Sequence, residues 1–79
     1  MTNLEKYNKV FEETFGVAEG ELAGLAYQGI QGWDSVGHMQ LMAALEDAFD
    51  IMMDTDDIID FSSYEKGKEL LEKYEIVFA

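Results

Sequence analysis

Cysteine is absent from this chain, so neither a disulfide framework nor a thiolate metal site can supplement its core. No apolar run approaches the roughly 18 residues of a membrane span, and no basic start leads into an apolar stretch at the N-terminus. A cytoplasmic protein without a membrane partner is expected. Arginine is absent too, and five lysines stand against 17 acidic residues, a formal charge of -12. Such a chain repels nucleic acid phosphates and anionic headgroups, which excludes nucleic acid as a partner and favours basic proteins.

What is present suffices for a fold. With 79 residues, 48% of them hydrophobic, the chain has too much apolar content for a disordered acidic tail and too little length for two domains. One domain over residues 1–79 is expected, as a monomer. A domain of this size buries only about 60% of the surface its unfolded chain exposes, so helix packing must make a small core work.

The periodicity predicts a first helix from Leu4 to Phe15, whose inward face carries Leu4, Tyr7, Val10, Phe11 and Phe15, closed by Gly16. Four glycines between Val17 and Trp33 mark a long first loop with one helical turn around Glu21 to Leu25, pinned to the core by Leu22, Leu25, Tyr27 and Ile30. A second helix runs from Ser35 to Phe49 with Asp34 as N-cap. His38, Leu41, Met42, Leu45 and Phe49 share its inward arc.

Asp54 to Phe61 reads as a short third helix contributing Ile58, Ile59 and Phe61 to the core. Ser62 with Glu65 fits a capping box for a final helix containing Tyr64, Leu70, Leu71 and Tyr74 despite Gly67. The tail from Ile76 to Ala79 is expected to fray or to pack only loosely. No alternating strand pattern competes, so the expected fold is all-α: a small bundle of three main helices and one short helix.

The second helix also carries apolar residues outside its inward arc. Val36, Met39 and Ala43 are mixed with Gln40, Glu46, Asp47 and Asp50, and Ser35 stands at the helix start. Scattered surface apolar residues are ordinary. Together they form a candidate docking face, in which apolar contacts give affinity and carboxylates steer basic partners. The positive end of a helix also stabilises an anion, so Ser35 is suited to carry a phosphorylated group, although local physics alone reads it first as a capping-region serine.

Other chemistries are weaker. Asp34, Ser35 and His38 do not make a hydrolytic triad: serine and histidine lie three apart on one helix, without a nucleophile elbow or an oxyanion hole. No catalytic residues are assigned. A calcium loop starting at Asp54 would place Ile58 and Ile59 at a ligand position and at the turn position that needs glycine. No metal site is assigned, a lone histidine being weak evidence for one.

Gly32-Trp33-Asp34-Ser35-Val36, followed by Met39, Leu41 and Leu45-Glu46-Asp47-Ala48-Phe49, resembles the signature of acyl carrier proteins, and the resemblance extends over nearly the whole chain. It implies that Ser35 is the attachment site of 4'-phosphopantetheine, delivered from coenzyme A by a phosphopantetheinyl transferase, and that Asp34 is the motif's acidic residue. Acyl-loading and acyl-transferring enzymes with basic patches would be the further partners. Val36, Met39, Gln40, Ala43, Glu46 and Asp47 match positions presented to such partners, and Asp56 and Asp57 resemble the family's acidic third-helix patch.

Four features depart from carriers of central fatty acid synthesis: Gly37 and Gln40 each replace an acidic residue, no proline precedes the third helix, and Trp33 directly precedes Asp34. They point to a specialised acyl or polyketide-like pathway. The alternatives are an aminoacyl carrier of the same fold, peptidyl or D-alanyl, and an unmodified acidic helical module that binds a basic partner.

Overall fold

A computed structural model describes residues 2–78. Among these residues four α-helices, α1 (Asn3–Phe15), α2 (Ser35–Phe49), α3 (Thr55–Asp60) and α4 (Tyr64–Glu72), form the all-α bundle that the sequence implies. Helix α1 begins at a capping box, in which the Thr2 side chain accepts from the Glu5 N–H while Glu5 reaches back to the Thr2 N–H. It ends at Gly16, left-handed at φ 66°, a conformation that glycine adopts without a Cβ penalty. Its buried Tyr7, Val10 and Phe11 pack on Leu41, Met42 and Leu45 of α2 in the central cluster.

Trp33, at the end of the first loop, is fully buried and stands edge-on to Phe11, with ring centroids 5.6 Å apart, and stacked on Phe15 at 5.3 Å. Leu22 and Leu25 are buried as expected, and Ile30 packs against the core. Tyr27 does not pin the loop: its ring stays exposed, because the chain is held there through its backbone. The Tyr27 N–H donates to the Ser62 carbonyl at 2.8 Å and the Tyr64 N–H to the Leu25 carbonyl at 3.0 Å. The helical turn in this loop is a single 3-10 turn at Glu19–Glu21, slightly before the expected Glu21 to Leu25.

Two adjacent serines compete to cap α4, and Ser63, not Ser62, does so. Its side chain accepts from the Lys66 N–H at 3.0 Å, and the backbone bridge between Ala26 and Ser63 fixes that register. Gly67 is also more than a weak helix former. A Cβ built there would overlap the Phe61 ring and the Tyr7 hydroxyl, so glycine lets α4 approach the core closely.

Helix α3 turns Ile59 out to solvent, 72% exposed, and Asp57 inward. The buried Asp57 carboxylate accepts from Lys73 Nζ at 2.7 Å and from the Tyr74 hydroxyl at 2.5 Å, which ties α3 to the end of α4. The tail does not fray over its described part: Ile76 is buried, the Val77 carbonyl accepts from the Asn3 side chain at 3.0 Å, and Phe78 stands edge-on to Tyr7. Ala79 lies outside the described residues.

The Lys73 and Tyr74 hydrogen bonds hold the Asp57 carboxyl below its ordinary value of 3.8. Asp57 therefore stays charged in the fold at pH values where the unfolded chain protonates it. Its stabilisation is complete above that ordinary value and is lost as the pH falls through the lowered one. Asp57→Asn is expected to be less stable than the parent at pH 7 and to lose less stability between pH 4 and pH 2, as read from chemical denaturation at each pH.

Candidate functional site

Helix α2 begins where the loop leaves the core at Trp33. Asp34 caps it as expected, its carboxylate accepting from the Gly37 N–H at 2.8 Å, which leaves Ser35 as the first helical residue with its side chain exposed. Ser35 Oγ lies 3.2 Å from the Tyr27 hydroxyl oxygen. Glycine at position 37 has a steric cause, since a Cβ there would overlap the Gly32 carbonyl oxygen. The loop backbone crosses the first turn of α2 at contact distance, and this crossing sets where Ser35 emerges.

Ser35 stands at the rim of a groove of about 380 Å³ between α2 and α3, within the range of small-ligand pockets, about 300–1,000 Å³. Met39, Ile58, Ile59 and Phe61 supply its apolar lining, while Tyr27, Ser35, His38 and Ser62 supply its polar atoms. The outward turn of Ile59, a departure from the expected core position, thus gives the groove one of its walls.

His38 holds the groove's floor in place. The Trp33 indole N–H donates to His38 Nδ1 at 2.9 Å, so Nδ1 is unprotonated, and the ring hydrogen sits on Nε2, donating to the Ile58 carbonyl at 2.8 Å. One half-buried ring therefore clasps the first loop, α2 and α3 together. Both of its nitrogens are occupied, and neither partner is Ser35.

The α2 face is as exposed as the sequence implies at Val36, Met39, Gln40, Ala43 and Asp47, with Val36 at 67% and Met39 at 56%. Glu46 is different. It is half-buried, and its carboxylate accepts from the Met53 N–H at 2.9 Å, so it organises the turn after α2 instead of standing free for a partner. Asp56 is exposed. Asp57 leaves the expected acidic patch altogether, because its charge is spent on Lys73 and Tyr74 inside the fold.

Charge is divided unevenly along the chain. All five lysines fall within residues 6–9 and 66–73, in α1 and at α4, so no lysine lies between Val10 and Glu65. The loop, α2 and α3 that build the groove are thus purely anionic at neutral pH. Tyr27 and Ser62 are site residues that the sequence reading missed. Nothing local marks them, since the backbone bridge that joins their segments spans distant parts of the chain. Among the described residues no helix is long and apolar enough to cross a membrane, and no cluster of potential ligands could hold a metal ion. Comparison with protein-family models, curated proteins and solved structures finds no match.

Proposed function

We propose that this chain is an acyl carrier protein, which takes 4'-phosphopantetheine on Ser35 and presents acyl groups as thioesters on the arm's thiol. One observation supports this most: an exposed serine at the start of α2 stands on the rim of an apolar groove, on a part of the chain without cations. In the modification, Ser35 Oγ attacks the pantetheine-side phosphorus of coenzyme A. The Oγ–P bond forms, adenosine 3',5'-bisphosphate leaves, and the serine proton passes to a base of the transferase. The helix N-terminus then stabilises the phosphodiester.

The protein's own part is recognition and shelter, the reactivity belonging to the thiol. Val36 and Met39 offer apolar contact to basic enzymes, and Asp47 and Asp56 steer them. The groove shields the first part of the arm or its cargo from water. A dedicated, specialised acyl or polyketide-like pathway in the cytoplasm fits the motif's departures.

With coenzyme A and a broad phosphopantetheinyl transferase, the intact mass is expected to rise by one phosphopantetheine, and Ser35→Ala is expected to stay at its sequence mass. An unmodified parent chain leaves the acidic interaction module as the reading.

A further inference from the structure

We infer that Tyr27 is a positioning residue for the arm: once Ser35 carries the phosphodiester, the Tyr27 hydroxyl donates to one of its non-bridging oxygens and directs the arm into the groove. This rests on the carrier reading, and it assigns a job to a residue outside the serine motif.

The backbone that carries the ring is held on both sides, and the ring has one aromatic neighbour. The Tyr27 N–H is bonded to the Ser62 carbonyl at 2.8 Å, and Gln28, left-handed at φ 64°, turns its own N–H to the Trp33 carbonyl at 2.8 Å. The ring stands edge-on to His38, centroids 5.4 Å apart, and His38 is itself fixed at both nitrogens. A ring so held could wall the groove as phenylalanine would. The hydroxyl adds a bond to Ser35 Oγ at 3.2 Å, at the exposed rim, where a neutral hydrogen bond contributes little to stability.

Modification changes the value of that hydroxyl. A serine hydroxyl both donates and accepts, so either oxygen can supply the hydrogen before modification. A phosphodiester only accepts, which makes Tyr27 the donor, in a charge-assisted bond roughly twice as strong as a neutral one. The loop, α2 and α3 offer no lysine to compete for the anion. Tyr27 and Ser35 both line the groove with Met39 and Ile59, so an arm drawn toward Tyr27 meets those apolar side chains.

The test compares holo parent with holo Tyr27→Phe, both prepared with the same transferase and checked by intact mass. Expected in the parent are NOEs from the arm's geminal methyls to Met39 and Ile59, and from its first methylene to the Tyr27 ring. Tyr27→Phe is expected to keep the thermal midpoint and the Trp33 emission and to accept the arm. Its phosphorus resonance should shift toward that of the acid-unfolded holo chain, and the NOEs to Met39 and Ile59 should be lost. An unchanged phosphorus resonance with those NOEs retained in Tyr27→Phe overturns the inference, as does a parent arm without contact to Tyr27. If neither protein gains mass, the carrier reading itself fails and takes the inference with it.

Discussion

Gly37→Ala is expected to lower the thermal midpoint by about 8–16 °C, although alanine is the better helix former. Helix propensity alone favours the alanine by about 1 kcal/mol. The added Cβ, however, overlaps the Gly32 carbonyl oxygen, which is backbone and cannot rotate aside as a side chain would. The loop must move, and with it Trp33, which is fully buried against Phe11 and Phe15. Overpacking of this kind costs about 1–3 kcal/mol, occasionally more, and each kcal/mol shifts the midpoint of a domain this small by roughly 4–8 °C. The two effects have opposite signs, so calorimetry decides between them: a stabilised Gly37→Ala protein refutes the crossing of loop and helix.

The second large effect is at the histidine clasp. His38→Leu is expected to destabilise the fold by about 2–3 kcal/mol in urea denaturation and to change the emission of Trp33, the chain's single tryptophan. Leucine fills the space but leaves the buried indole N–H and the Ile58 carbonyl without their partner. Each buried polar group left unpaired costs about 1–3 kcal/mol. Ile58 is half-buried, so water relieves part of the loss there, which keeps the total in the lower half of the summed range. A change below about 0.5 kcal/mol means that the clasp contributes nothing beyond packing.

These two positions also show where sequence reading reaches and where it stops. Helix α1, its terminating Gly16 and the Asp34 cap of α2 are legible because each rests on residues three or four apart. The same local logic finds Ser35 and the exposed strip of Val36, Met39 and Ala43. It fails where partners are distant in sequence. Trp33 belongs to the core through Phe11 and Phe15, and Asp57 is removed from the surface by Lys73 and Tyr74.

Helix α3 has six residues, too few for a periodicity that separates inward Asp57 from outward Ile59. Acidic composition and apolar type alone suggest the reverse. Gly37 carries a similar lesson. Against the acyl carrier signature that the sequence resembles it reads as a missing carboxylate, whereas in the fold it is the position where no side chain fits. Its bearing on the pathway falls away accordingly, and Gln40, Trp33 and the missing proline before α3 remain as the departures from carriers of central fatty acid synthesis.

Ser62 lines the same groove as Ser35 and, like it, is exposed, yet it stands outside any long helix start. Tandem mass spectrometry of the chain, after reaction with coenzyme A and a transferase, separates the two serines. A single phosphopantetheine on Ser35 and none on Ser62 is expected; an increment on Ser62, or a chain that remains unmodified, contradicts the assignment of Ser35 as the carrier serine.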